Sequence, residues 1–422
     1  MPEKKLDGLL PHRNQDTMFR HTTLENGLQI VAEIHPEGYT ASFGYFVRTG
    51  ARDETDAMAG VSHFLEHMMF KGTARRSAAD VNRELDELGG QSNAYTSEEQ
   101  TVYYATVLPK YQDRIVELLT DLMRPSLRTE DFETERKVII EEIAKYDDQP
   151  PFGAFERSMA DFFPGHGLGR RILGTEQTIL AMTPDQMRDY FVANYGPQSM
   201  VFAAAGRLDF DRLVMDLQQR TAAWRPMERR AARVAPAAAH STHAEISIAE
   251  IAQAYSIRVG RAPSACDMDR YPMRLASTIL GDESGSRIYW ELVDTGLAEM
   301  AVTWTQEFDD CGVLFHYLVC HPDDMESNLA HVNEIIDRMQ EGGVEEQELE
   351  QAINKTTAAL VLQSERPSNR MFSVGNTWML RGVYDPLDEV LDRYRRVTRE
   401  DIYRILDRYP LRPTTQVLTN PT

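Results

Sequence analysis

Apolar and polar positions recur with two different periods along the chain, and the changes of period predict where strands and helices lie. The segments TLENGLQIVAEIH, TASFGYFVRTG and TVYYATVL are rich in β-branched and aromatic residues, which predicts strands. In SAADVNRELDELGG, Val81, Leu85 and Leu88 recur at helical spacing before a Gly-Gly pair that would end the helix. Further helices are predicted at about 110–123 and 130–147. These blocks predict an α+β fold, with helices packed against a mostly antiparallel sheet.

The second half of the chain repeats parts of the first half. TPDQMRDYFVANYGPQSMVFAAAG and TREDIYRILDRYPLRPTTQVLTNP each predict a helix, a proline-bearing turn and an apolar strand. Each begins with a threonine N-cap, Thr183 or Thr398, and has Gln186 or Asp401 three residues later, as in a capping box. This repetition predicts two homologous domains that arose by internal duplication.

A second pair of similar segments supports the duplication at nearly the same offset. RTEDFETERKVIIEEI aligns with VEEQELEQAINKTTAAL, so Glu135 and Glu142 correspond to Ala352 and Ala359. Nothing in the second half resembles the histidine motif described below, so only the first half is expected to bind a metal.

A change in composition separates the two halves. The segment WRPMERRAARVAPAAAHSTH is rich in Arg, Ala and Pro and lacks apolar periodicity, which predicts a linker. We therefore predict an N-terminal domain at 1–223, a linker at 224–243 and a homologous C-terminal domain at 244–422.

Composition restricts the partners and the location of the chain. The formal net charge of -21 disfavours nucleic acid and anionic membranes as partners. That charge would suit cationic peptides, although an acidic surface that keeps the protein in solution explains it equally well. Three cysteines without a C-x-x-C motif favour a reducing compartment. With no apolar stretch of signal-peptide length in MPEKKLDGLLPHRNQ, we predict a cytoplasmic protein.

The segment HFLEHMMF contains the strongest candidates for a metal site. On a helix, His63, Glu66 and His67 share one face, and their apolar neighbours predict that the segment is mostly buried. Burying two imidazoles and a carboxylate is costly unless they are hydrogen-bonded or bind a metal. A pair of core histidines would satisfy this pattern, but the H-x-x-E-H spacing is a specific metal signature and favours a metal site.

A catalytic zinc site needs a third protein ligand. The acid-rich segment DFETERKVIIEEI is a better source of this ligand than the cysteines or the other histidines. Its residues Glu135 and Glu142 are two helical turns apart and lie about 20° apart on one face. Glu141 lies about 100° away from that face. An exposed acidic face would give the same pattern, so the residues alone leave the third ligand open.

The motifs together resemble those of a known family. GVSHFLEHMMFKGT, GGQSNAYTSEEQTVYYATVL and ERKVIIEEI are similar to the pitrilysin and mitochondrial-processing-peptidase family of zinc metallopeptidases, in particular to short bacterial-type members and the catalytic subunit. The resemblance implies Zn²⁺ as the cofactor, with His63, His67 and Glu142 as its ligands. It implies that Glu66 is the general base and that Glu135 orients the site.

The resemblance also implies where substrate binds. In the family, the segment QSNAYTSEEQT is an edge strand whose backbone pairs with an extended peptide. The residues implied as substrate contacts are Gln91, Asn93, Ala94 and Thr96. Without the resemblance, the segment QSNAYTSEEQT predicts a turn that leads into a strand at 101–107.

One stretch departs from the family pattern and bears on partners. Members that act alone or as homodimers carry an Arg and a Tyr that bind substrate opposite the zinc, whereas SRIYWELVDTGLAEM has Val293 and Glu299 there. Arg287 and Tyr289 could replace them, but ordinary structural roles explain both more simply. The departure implies a paralogous subunit that supplies the missing pair, with a homodimer as the alternative.

Two functions are therefore expected from the sequence. The first is a zinc-dependent endopeptidase that acts on peptides or small unfolded polypeptides, as the catalytic subunit of a two-subunit clamshell, meaning two chains that enclose the substrate. The alternative is a structural or assembly subunit of the same family with little activity of its own.

Overall fold

The computed structural model describes residues 18–147, 149–226, 233–236, 241–249 and 251–422. Two β-sheets occur in these ranges, one in each half of the chain. The strands of the first sheet are β1 (Met18–Thr23), β2 (Gln29–Ile34), β3 (Ala41–Val47), β4 (Gln91–Thr96), β5 (Thr101–Val107) and β6 (Met200–Gly206). The strands of the second sheet are β7 (Thr242–Ile248), β8 (Ala254–Ala262), β9 (Met300–Glu307), β10 (Gly312–Cys320) and β11 (Thr415–Pro421).

Helices connect these strands in both halves. The helices of the first half are α1 (Val61–Met69), α2 (Ala78–Leu88), α3 (Gln112–Leu122), α4 (Thr129–Asp147), α5 (Pro150–Phe162), α6 (Glu176–Ala181), α7 (Pro184–Asn194) and α8 (Phe210–Thr221). The helices of the second half are α9 (Arg270–Gly281), α10 (Met325–Gly342), α11 (Glu346–Ser364), α12 (Pro367–Arg381), α13 (Leu387–Arg395) and α14 (Arg399–Arg408). Among the described residues, none of the helices combines the length and apolar character needed to cross a membrane.

The two sheets share one topology. The first has the order β1-β2-β6-β3-β5-β4 and the second the order β7-β11-β8-β10-β9. If β1 is set aside, each sheet places its strands in the order first, last, second, fourth, third. In each, the first and last strands pair in parallel and the other neighbours are antiparallel. This correspondence confirms the predicted α+β fold of two homologous, mostly antiparallel halves.

The predicted helix boundaries agree with the local chemistry. Thr183 and Thr398 cap α7 and α14, and each forms the expected capping box with the residue three positions later. Helix α2 ends at Leu88, and Gly89 then adopts a φ of 58°, the left-handed conformation that glycine accepts without strain. The predicted linker at 224–243 lies only partly within the described residues, because 227–232 and 237–240 fall outside them. The proposed domain boundaries therefore stay a prediction.

Each sheet has one face covered by helices of its own half and the other covered by a helix of the opposite half. The buried side chains of α5 pack on β8 and β11 of the second sheet, with Phe155 stacked on Phe315 at 4.5 Å between ring centroids. Met371 and Val374 of α12 pack on the outer face of the first sheet, where they contact Phe46 and its neighbours. The halves thus exchange one covering helix each.

Ion pairs reinforce this exchange. Glu33 of β2 is 2% exposed and accepts hydrogen bonds from Arg370 Nε of α12 at 2.7 Å and from the Tyr384 hydroxyl at 2.8 Å. Burial alone would raise the pKa of Glu33, but the hydrogen bonds from Arg370, His35 and Tyr384 lower it to about 2. Because this pKa is below that of an unfolded glutamate, the ion pair stabilises the fold above pH ~4.5 and loses its contribution as the pH falls toward ~2.

Replacing Arg370 with Met is expected to lower the free energy of unfolding by about 3–5 kcal/mol at pH 7, because the buried carboxylate of Glu33 would lose its cation. The difference between the variant and the parent chain should shrink as the pH falls from ~4.5 toward ~2. Urea unfolding at several pH values measures both effects. Arg83→Met, which removes an exposed pair with Asp80, is the matched control and should leave the free energy of unfolding close to that of the parent chain. Equal stability of Arg370→Met and Arg83→Met at pH 7 would contradict the assignment.

Candidate metal centre

Helix α1 is positioned from its N-terminal end. It has no side-chain cap of its own; instead, the Glu54 carboxylate accepts hydrogen bonds from the backbone N–H groups of Gly60 at 2.8 Å and Ser62 at 2.7 Å. Gly60 has a φ of 91°, and a Cβ at this position would lie 2.5 Å from the Leu173 carbonyl oxygen. Burial raises the pKa of Glu54 to about 8. The start of the motif helix is therefore fixed by a buried carboxyl group and by a glycine that no larger residue can replace without strain.

A second contact holds α1 against α4, the helix that carries the acidic residues. The rings of Phe64 and Phe132 stack at 4.5 Å between centroids, and both side chains are buried. His67 follows Phe64 by three positions and Glu135 follows Phe132 by three, so this stacking places His67 beside Glu135.

His67 is oriented by a chain of polar contacts. Its Nδ1 atom lies 2.9 Å from Glu135 Oε1, and Glu135 Oε2 lies 2.5 Å from Lys71 Nζ. Donation from Nδ1 to Glu135 leaves the lone pair on Nε2, which faces Glu142. Burial alone would lower the pKa of His67, but the hydrogen bond to Glu135 and the charge of Glu142 raise it. Glu135 thus has the position expected of a residue that orients a ligand.

Three side chains converge where a cation would bind. Glu142 Oε2 lies 3.5 Å from His67 Nε2 and 3.9 Å from His63 Nε2. One potential ligand atom from each of the three residues lies within 4.8 Å of the other two. Ligand atoms about 2.1 Å from a tetrahedral zinc ion lie about 3.4 Å from one another, so a small inward movement of the side chains completes this geometry.

His63 offers a neutral ligand atom to this cluster. Its ring is buried, and Nε2 is the ring nitrogen that faces Glu142. Burial, together with the neighbouring His67, lowers the pKa of His63 to about 3, so the ring is neutral and has a lone pair for a cation. Two imidazoles and one carboxylate are the donor set typical of catalytic zinc.

Glu66 lies beside this cluster. Its Oε2 atom accepts a hydrogen bond of 2.6 Å from the Thr96 hydroxyl. Burial raises the pKa of Glu66, which favours its use as a proton acceptor near neutral pH. Glu141, adjacent in sequence to Glu142, is exposed. The structure thus brings together His63, Glu66, His67, Glu135 and Glu142, and leaves Glu141 outside the site.

Strand β4 contains the residues that were predicted to contact substrate. It is the outermost strand of the first sheet and pairs with β5 on one side, and within the described ranges no strand pairs with its other edge, which is called the open edge here. Gln91 and Asn93 are exposed, whereas Ala94 packs against the core that includes α1. The turn predicted from the residues of this segment alone is found at 97–100, but 91–96 form a strand instead, because pairing with β5 imposes strand geometry on polar residues of low intrinsic β-propensity. The strand implied by the family resemblance is confirmed.

The stretch that departs from the family pattern includes a π-helical turn at Tyr289–Val293. Arg287 donates hydrogen bonds to both carboxylate oxygens of Glu348 and to the Gly343 carbonyl. Its guanidinium therefore links the residues before the π-helical turn to α11 and to the end of α10. This contact disfavours Arg287 as a replacement for the missing substrate-binding arginine.

Sequence reasoning missed one residue of the site, Lys71, and one contact between residues that it had named, Thr96 and Glu66. Lys71 follows His67 by four positions, so its approach to the same face was available from the sequence. The contact between Thr96 and Glu66 spans 30 residues, and no local pattern predicts it.

Two segments of the chain match known protein families. Residues 29–176 match the family described as Insulinase (Peptidase family M16), and residues 181–356 match the family described as Peptidase M16 inactive domain. The histidine motif, Glu135 and Glu142 fall in the first match. An uncharacterised zinc protease of Streptomyces coelicolor is 33% identical over 393 residues, which cover 91% of this chain and 85% of that protein.

Solved structures share the fold. A protease from Helicobacter pylori has a TM-score of 0.89 at 20% identity, with 96% of this chain and 100% of that chain covered. A structure described as a peptidase M16 inactive domain from Pseudomonas fluorescens has a TM-score of 0.88 at 16% identity, with 96% and 98% covered. These structures share the fold, and the two family matches together with the Streptomyces protein establish that the chain belongs to peptidase family M16.

Proposed function

We propose that this chain is a zinc-dependent endopeptidase that hydrolyses peptides or small unfolded polypeptides, and that it is the catalytic subunit of a two-subunit clamshell. The observation that carries the proposal is the convergence of His63, His67 and Glu142 within 4.8 Å of one another. The position of Glu66 beside these residues supports hydrolysis rather than a purely structural metal, because a structural site needs no adjacent base.

The side chains of the site have distinct roles in the proposed reaction. Zinc bound by His63, His67 and Glu142 would lower the pKa of a water molecule and polarise the scissile carbonyl group. Glu66 accepts a proton from the attacking water and then delivers it to the leaving amine. Glu135 keeps His67 in the tautomer that directs Nε2 toward the metal.

Strand β4 accounts for the selection of extended peptides. Among the residues that the structure describes, no strand pairs with its outer edge, so backbone N–H and C=O groups at that edge can pair with a substrate strand by β-augmentation. Gln91, Asn93, Ala94 and Thr96 are the proposed contacts. Because backbone pairing requires an extended chain, unfolded segments are cleaved and folded proteins are excluded.

A second chain completes the substrate chamber in this proposal. Val293 and Glu299 stand where related peptidases carry a substrate-binding Arg and Tyr, and Arg287 is held by Glu348. A paralogous subunit that carries the missing pair would provide the opposite wall, and a homodimer is the alternative arrangement. Positioning of the substrate by that wall is worth several kcal/mol of the barrier.

The test is peptide hydrolysis by the purified, zinc-loaded chain, alone and titrated with a paralogous chain that lacks H-x-x-E-H but carries the Arg and Tyr. We expect slow cleavage by the chain alone and an increase in kcat/KM of at least ~10-fold with the partner, at unchanged zinc content. The partner alone, and the mixture treated with a chelator, are the controls. Full activity of a purified homodimer would refute the need for a partner. No zinc-dependent cleavage in any arm would refute the peptidase and favour the structural subunit.

A further inference from the structure

The contacts of Glu66 are unequal at its two carboxylate oxygens. Oε2 accepts the 2.6 Å hydrogen bond from the Thr96 hydroxyl. Among the residues that the structure describes, no other group donates a hydrogen bond to Glu66. Oε1 is thus left to exchange protons, while Oε2 is held. A general base needs this division, because one oxygen must accept the proton in a fixed direction while the other prevents the carboxylate from rotating.

Thr96 is itself held in place by the fold. It lies at the end of β4, opposite Thr101 of β5, and the Thr101 hydroxyl donates to the Thr49 carbonyl at 2.9 Å. The turn that follows is closed by a 2.8 Å hydrogen bond from the Ser97 N–H to the Gln100 carbonyl. Because threonine is β-branched, few side-chain rotamers are open to it in a strand. The hydroxyl therefore reaches Glu66 from a rigid position.

The side chains of β4 alternate between the two faces of the sheet, so the contact between Thr96 and Glu66 depends on the register of β4. Ala94 packs on the core that includes α1, whereas Tyr95 packs on the opposite face, with its ring 6.0 Å from that of Phe372 on α12. Thr96 therefore shares the α1 face with Ala94. A shift of β4 by one residue would turn the Thr96 hydroxyl away from Glu66.

We propose that Thr96 is a positioning residue that fixes the direction of the Glu66 carboxylate and the register of β4 against α1. The proposal rests on the function proposed above. It assigns to the Thr96 side chain a role distinct from the backbone pairing of β4 with substrate. A peptide that pairs with the open edge of β4 is thereby placed in register with the base, since one hydroxyl group joins the strand to the carboxylate.

Thr96→Val tests this assignment, because valine keeps the β-branched shape and removes only the hydrogen-bond donor. We expect kcat to fall by about 10-fold or more, with KM within about two-fold of the parent value and zinc content unchanged. Thr96→Ser restores the hydroxyl and should recover most of the lost kcat. Thr106→Val is the matched control: it removes a 2.7 Å hydroxyl contact with Ser42 in the same sheet, and kcat should stay unchanged.

The outcomes separate this inference from the proposed function. If the parent chain hydrolyses peptides and Glu66→Gln does not, but Thr96→Val keeps the parent kcat, the positioning role is refuted while the peptidase stands. If Thr96→Ser lowers kcat as much as Thr96→Val does, the positioning role is also refuted, because the hydrogen-bond donor would then be irrelevant. If neither the parent chain nor its complex with a partner cleaves peptides, the proposed function fails first, and the positioning role fails with it.

Discussion

Glu66→Gln is expected to lower kcat by at least ~10²-fold while the chain keeps its zinc. Glutamine has the shape of glutamate, and its amide oxygen can still accept the hydrogen bond from the Thr96 hydroxyl. The amide cannot take a proton from water, so only the acid–base step is lost. Steady-state peptide hydrolysis, together with metal analysis of the same preparation, measures both quantities.

Glu141→Gln is the matched control for this change, because it makes the same chemical substitution at an exposed position outside the site. It should leave kcat and zinc content near the parent values. If Glu66→Gln instead loses zinc and activity in equal proportion, Glu66 is a ligand rather than the base. The Glu66→Gln chain should still bind peptides, which makes it suitable for capturing an enzyme–substrate complex.

The second large effect is expected on metal binding. His63→Ala or His67→Ala should abolish stoichiometric zinc, and Glu142→Gln should weaken zinc affinity by more than ~100-fold, because it replaces a charged ligand by a neutral one. Replacing a residue that only orients a ligand typically lowers metal affinity by about 10–100-fold, so replacing a ligand itself should lower it further. Competition with a chelator of known affinity measures the change. Activity should fall in parallel with zinc occupancy.

Comparison of Glu142→Gln with Glu141→Gln tests the orientation of α4. The two residues are adjacent in sequence, but only Glu142 approaches the histidines, at 3.5 Å and 3.9 Å. Full zinc in Glu142→Gln, or loss of zinc in Glu141→Gln, would contradict the assigned ligands. Full zinc in both histidine variants would overturn the whole site.

The metal cluster was predictable because its members lie on single helical faces. His63, Glu66 and His67 are spaced three and four residues apart, and Glu135 and Glu142 are seven apart, so helical periodicity alone groups each set. Pairing the two sets across α1 and α4 required the family resemblance, since either glutamate could have been the ligand from the sequence. The helix ends at Thr183, Thr398 and Gly89 were predictable for a similar reason, because capping depends on residues within one turn.

Contacts between distant parts of the chain were not predictable. The ion pair of Glu33 with Arg370 spans 337 residues, and neither residue has a local feature that identifies the other. The strand geometry of β4 likewise depends on pairing with β5 and not on the preference of its own polar residues. Sequence periodicity shows which face of an element is buried, but not which distant element covers that face.

The exchange of α5 and α12 has a consequence for how the chain can be divided. The outer face of each sheet is covered by a helix from the other half of the chain. A fragment ending near residue 223 lacks α12, so the apolar side chains around Phe46 would be exposed to water. The same fragment lacks the second sheet, so the apolar side chains of α5 around Phe155 would be exposed as well. The duplication suggests two units that fold independently, but we infer that neither half folds stably without the other. A cut within the predicted linker at 224–243 leaves both covering helices in place, whereas truncation on either side of it leaves the remaining sheet without its covering helix.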